Sequence, residues 1–127
     1  MMRSAAELAD ASMQAAVAGD REGWLALYSE DAVLEDPVGP SPWDPEGRGQ
    51  RGKQALAAFW DRVIGPNRGL QFEVRERYTG GREVASVLTV TSALPDGRRV
   101  EFGMVTILSS NEQGLIQSLR AFWNTGS

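Results

Sequence analysis

The sequence contains no cysteine and no histidine. Those two absences together exclude disulfide frameworks, thiolate nucleophiles, zinc sites of the usual kind, Ser-His-Asp triads and imidazole bases. Acid–base chemistry therefore falls to Asp, Glu, Tyr or Lys. A basic excess is also lacking: the formal net charge is −4. This argues against a nucleic-acid partner, because phosphate backbones select strongly basic surfaces. No apolar run is long enough to cross a bilayer. Met1–Asp10 carries Glu7 and Asp10 and has no apolar block of the kind a secretion signal needs. The expectation is a cytoplasmic protein without membrane association, metal or cofactor.

What remains is ordinary globular material. A chain of 127 residues, 42% hydrophobic and 24% charged, suits a single domain over residues 1–127 with enough apolar content for a core and a cavity within it. Ser4-Ala5-Ala6-Glu7 forms a capping box that opens a helix, the alanine-rich run to Ala18 continues it, and Gly19 ends it. Asp20 caps a second, short helix with Trp24, Leu27 and Tyr28 on one side. Ala32–Glu35 is a short strand ending at Asp36-Pro37. Residues 37–52 hold too many prolines and glycines for a regular element and form a long loop. Leu56, Phe59, Trp60 and Val63 give Lys53–Ile64 a helical stripe, terminated by Gly65-Pro66.

Strands follow at 70–78, 83–94, 100–108 and 115–123, with turns at Pro95-Asp96-Gly97 and Asn111–Gly114. Helices first and an antiparallel meander afterwards imply an α+β fold with helices on one sheet face. Strand parity places Val100, Phe102, Met104, Thr106 and Leu108 on one face, and Leu115, Gln117, Leu119, Ala121 and Trp123 on another. Mostly apolar faces with one polar group each suit either a core or the wall of a ligand pocket.

Gly19-Asp20, Leu27–Ala32, Glu35–Gly39, Gly52-Lys53, Ala57–Trp60 and Ala121–Trp123 resemble, in the same order, segments of the bacterial ketosteroid isomerase family. That family lies within the nuclear-transport-factor-2-like (NTF2-like), SnoaL-like superfamily. The resemblance covers nearly the whole chain. It implies a cone-shaped fold, with N-terminal helices packed on a curved antiparallel sheet around an apolar pocket. It also implies that Asp36 is the base that moves a proton next to a ketone, and that the pocket takes an apolar steroid-like or polycyclic ketone. Two departures stand out. The family's oxyanion-hole tyrosine falls at Ser12, and its second donor, a protonated aspartic acid, falls at Thr106. Loss of one such donor typically costs about 10²–10³ in rate, so a weakened isomerase is expected.

The resemblance further assigns Tyr28 and Trp60 to supporting positions and Trp123 to the pocket wall, joined there by Phe102, Met104 and Leu119. Trp43, Arg48 and Arg51 sit in the long loop, which suits either a lid over the pocket mouth or a solvated or partner-packed surface loop. Two other functions fit the superfamily: a non-catalytic small-molecule binder, or another SnoaL-like enzyme such as a cyclase or epoxide hydrolase. Val105, Ile107, Ile116 and Phe122 alternate onto the outer sheet face, more apolar surface than a monomer should expose, so a homodimer is expected.

Overall fold

The computed structural model describes residues 2–124. Helix α1, Ala5–Ala18, begins with the expected capping box: the Glu7 amide donates to Ser4 Oγ at 3.1 Å and the Ser4 amide to Glu7 Oε1 at 2.8 Å. It ends at Gly19, whose φ of 70° is the left-handed conformation that favours glycine. Helix α2, Arg21–Ala26, is capped by Asp20. Tyr28 does not lie on that helix as its spacing suggested. It opens strand β1, Tyr28–Glu35, four residues before the expected strand start.

β2 is short, Gln50–Arg51, and α3 covers Lys53–Phe59. From Trp60 to Ile64 the helix widens into a π turn, and the Gly65 amide bonds back to Trp60 O at 2.7 Å. The long strands are β3 (Gln71–Gly80), β4 (Glu83–Ala93), β5 (Arg99–Ser110) and β6 (Ile116–Phe122).

They form one six-stranded sheet in the order β2-β1-β6-β5-β4-β3, antiparallel except where β6 runs parallel to β1. α1 crosses the concave face over β3, β4 and β5. Register shifts break strict alternation at three places, one of them between Tyr28 and Val33 where β1 meets β6. In β3 one extra residue lies between the pairs Val74↔Leu88 and Glu76↔Val87, which turns Arg77 inward and Tyr78 outward. In β6 the register shifts between Ser118 and Ile116, so Ile116 becomes fully buried in the core and not part of the outer face. Gln117 leaves the inward face as well: its Nε2 donates to Asp31 Oδ1, and its Oε1 accepts from Ser29 Oγ.

The fully buried Leu8, Leu34, Leu56 and Ile116 form a solid core under α1 and α3, with Trp24 and Tyr28 beside them. Farther along the sheet Leu88, Val90, Met104 and Ala121 form a second cluster. α1 turns Ala9, Ser12, Met13 and Ala16 to that region, and of these Met13 packs against the second cluster. Ala9, Ser12 and Ala16 are too small to fill the space between helix and sheet, and a cavity of about 580 Å³ remains.

Candidate functional site

The cavity volume lies in the range of small-molecule pockets. Apolar walls come from Met13, Phe59, Val63, Ile64 and Leu70 on one side and from Leu88, Val90, Phe102, Met104 and Leu119 on the sheet. β5 places Phe102, Met104 and Thr106 inward at alternate positions, and β6 does the same for Leu119 and Ala121, with Trp123 just past its end.

Asp36 lies immediately after β1, and its carboxylate is the only acidic group among the described residues lining the cavity. Trp123 Nε1 donates to Asp36 Oδ1 at 2.6 Å. The loop after β1 closes against it: Trp43 Nε1 donates to Asp36 O at 2.8 Å, and the Trp43 ring lies 6.1 Å from that of Trp123 in a stacked arrangement. Asp44 ties the loop down, accepting from the amides of Arg48 and Gly49. Trp43 is therefore part of the cavity wall, while Arg48 stays in an exposed ion pair with Glu46. Asp36 is half-buried and lines the cavity. Loss of hydration pushes its carboxyl above the ordinary aspartate value, and the Trp123 N–H offsets part of that rise. A carboxylate with raised basicity, fixed by one donor in a mostly apolar wall, is chemically suited to take a proton from a weak carbon acid.

A second polar group forms the floor. Ser12 Oγ and the Tyr28 hydroxyl lie 3.5 Å apart, and both line the cavity with Thr106 and Ser86. Tyr28 is fully enclosed, which holds its phenol proton tightly: burial is the main cause, Ser12 opposes it and the nearby Asp36 adds to it. At the other end Asn67 Nδ2 donates to Ser92 Oγ at 2.6 Å, again on the cavity wall.

Ser12, Tyr28, Asp36, Phe102, Met104, Thr106, Leu119 and Trp123 thus meet around one space. Trp60 does not. It is buried behind Trp24, with ring centroids 5.3 Å apart, and Trp24 is the tryptophan that reaches the cavity. The π turn starting at Trp60 offsets the helical stripe, so Val63 and Ile64 face the cavity while the Trp60 ring points into the core. Ser86 and Ser92 were not anticipated, although they share the inward parity of Val84, Leu88 and Val90 on β4.

An apolar cone holding one enclosed carboxylate defines a small-molecule pocket of the NTF2-like class. The chain belongs to the SnoaL-like domain family, which it matches over residues 9–119. Among similar proteins, the steroid Δ-isomerase of Nocardioides simplex is 30% identical over 114 residues, covering 90% of this chain and 85% of that one. The epoxide hydrolase LasB of Streptomyces lasalocidi is 33% identical over 112 residues, 84% of this chain but 36% of LasB, so this chain spans about a third of that relative. The crystal structure of Δ5-3-ketosteroid isomerase from a Mycobacterium species superposes with a TM-score of 0.87 at 38% identity, covering 94% of this chain and 92% of the other. A Mycobacterium tuberculosis protein in complex with estradiol-17β-hemisuccinate gives 0.88 at 37% identity, covering 95% and 94%. Among the described residues no helix is long and apolar enough to cross a membrane.

Proposed function

We propose that the cavity binds an apolar polycyclic ketone of steroid-like shape and that Asp36 moves a proton on it. The Asp36 carboxylate takes a proton from the carbon next to the ketone, and the electron pair left behind shifts toward the ketone oxygen as an enolate. Asp36 then returns the proton farther along the conjugated system, so the base is regenerated and the double bond has moved. The observation that carries this reading is the enclosed Asp36 carboxylate, held at 2.6 Å by Trp123 in a mostly apolar wall that carries no other acidic group among the described residues. The steroid ligand of one similar structure and the steroid isomerase activity named for others support the substrate class.

Turnover is slow in this reading. The family's tyrosine and aspartic acid donors are here Ser12 and Thr106, and aliphatic hydroxyls, being much weaker acids than a phenol or a carboxylic acid, stabilise an enolate less. The likeness to LasB raises the alternative of epoxide hydrolysis, and retention of the pocket without chemistry is the other. Hydrolysis by a pair of aspartates lacks its second member, because Asp36 is the only acidic side chain on the wall among the described residues.

Deuterium uptake into a Δ5-3-ketosteroid in heavy water tests the reading. The native protein should exchange the proton next to the ketone, and Asp36→Asn should lose about 10²–10⁴ of that rate. A Ser12→Tyr, Thr106→Asp double variant should turn over faster than the native chain. Equal uptake by native protein and Asp36→Asn leaves a binding protein. Trp24, Trp43 and Trp123 on the wall make tryptophan fluorescence the direct report of ligand entry.

A further inference from the structure

Ser86 sits on the inward face of β4, fully buried and among the residues that line the cavity. Its Oγ accepts from Arg77 Nε at 3.1 Å. A serine hydroxyl has one proton to donate, and the guanidinium has none to accept it. Among the described residues Ser86 Oγ has no other hydrogen-bond partner, so its O–H is free to point into the cavity. The guanidinium behind it is poorly hydrated. Arg77 Nη1 pairs with Asp10 Oδ1 at 2.9 Å, but Asp10 is half exposed, and Arg77 Nη2 is enclosed without a partner. Positive charge therefore stands close behind the cavity floor and is only partly compensated. The β3 bulge brings it there: without the extra residue Arg77 would point to solvent on the convex face.

The register locates this hydroxyl relative to the base. Ser86 is directly opposite Thr106 on β5, Thr106 is opposite Ala121 on β6, and Ala121 O accepts from the Val38 amide beside Asp36. Ser86 and the Asp36 end of β1 thus lie on the same cavity, two strand spacings, about 10 Å of backbone, apart.

We propose that Ser86, polarised by Arg77, is the hydrogen-bond donor to the ligand's ketone, enolate or phenolic oxygen, with Thr106 beside it. This rests on the pocket reading above and names the group that substitutes for the family's missing donors. A hydroxyl whose acceptor site is occupied by a cation is a stronger donor than a free serine, and the interaction grows as charge develops on the ligand oxygen.

The probes are a steroidal naphthol and its 3-deoxy counterpart, which share apolar area and differ only in the oxygen. Their affinities follow from tryptophan fluorescence, and ionisation of the bound naphthol follows from its absorbance. Ser86→Ala should weaken the naphthol about tenfold to a hundredfold and leave the deoxy probe unchanged, and Ser86→Thr should restore the naphthol. Arg77→Gln should raise the pH at which the bound naphthol ionises. Tyr28, Asp36, Asp10 and Arg62, which lines the same cavity, are the other titratable or charged groups around that oxygen or behind it, and all remain in both variants. Unchanged naphthol affinity in Ser86→Ala overturns the proposal, as does equal loss of both probes, which would mean that Ser86 only shapes the wall. Tight binding of both probes with no effect of Ser86 leaves the pocket reading intact. If the native protein binds neither probe, the pocket reading falls and this proposal with it.

Discussion

Under α1 and α3 the interior is closed by Leu8, Leu34, Leu56 and Ile116, all fully buried, whereas farther along the same sheet Leu88, Val90 and Met104 face open space. The sheet side chains are of similar size in both regions. The difference lies in the helix, which offers Leu8 to the first region and, beside Met13, the small Ala9, Ser12 and Ala16 to the second. One half of the interior works as a core and the other as a container, and the residues deciding between them are small ones on α1.

The largest expected effect tests the filled half. Leu56→Ala should cost about 2–5 kcal/mol in denaturant unfolding, because the surrounding core cannot collapse into the gap. Met104→Ala should cost less, under about 2 kcal/mol, because that side chain already borders empty volume and has fewer neighbours to lose. Equal losses at the two positions would mean that the cavity is closed in solution. Enlarging residues should reverse the pattern. Ala9→Leu should stabilise by about 1 kcal/mol and abolish ligand binding, while Ala5→Leu, in the packed region, should cost about 1–3 kcal/mol.

A smaller effect concerns Asp36 and depends on pH. Its folded-state pKa lies above the ordinary 3.8, so between those two values the folded protein holds a proton that the unfolded chain has released. Stability therefore falls as pH rises through that window and stays reduced above it. Asp36→Asn, whose amide oxygen can still accept from Trp123, should melt higher than the native protein at pH 7. The gain should shrink as pH is lowered toward the ordinary aspartate range. A gain independent of pH would place its origin in packing and not in charge.

The convex face supplies the last test. Val87, Val105 and Phe122 lie in register across β4, β5 and β6, with Val105 and Phe122 about two-fifths exposed and Ile107 partly so. We propose that this stripe, without Ile116, is the surface of a homodimer. Sedimentation at micromolar concentration should then give twice the monomer mass for the native chain and the monomer mass for Phe122→Glu. A monomer in both cases removes the dimer.

Much of this was legible in the sequence because it rests on local signals. The capping box and Gly19 bound α1, and the alternation of Phe102, Met104 and Thr106 gave the correct face of β5. The Asp36-Pro37 motif and the resemblance it helps carry pointed to the residue that the fold encloses. The misreadings occurred where one extra residue changes the period. A bulge in β6 moved Ile116 inward, a bulge in β3 brought in Arg77, and a π turn withdrew Trp60. Periodicity assumes unbroken elements, so it has no means of registering such insertions. Ser86 was missed for a different reason: a serine among valines and threonines looks like ordinary strand composition until its partner across the sheet is known.

The placement of β6 has a consequence for how the molecule comes together. It is the only strand that hydrogen-bonds both β1 and β5, so without it the β1–β2 ribbon and the β3–β4–β5 meander have no common edge among the described residues. The bond from Trp123 to Asp36 spans 87 positions of chain. On a ribosome, the helices and the first three long strands emerge before the strand that joins them to β1. Asp36 thus acquires its donor and its enclosure in one late, long-range event, the kind of contact that slows folding most. Until then Asp36 is a solvated aspartate on a nascent ribbon, with none of the basicity it gains when the last strand inserts.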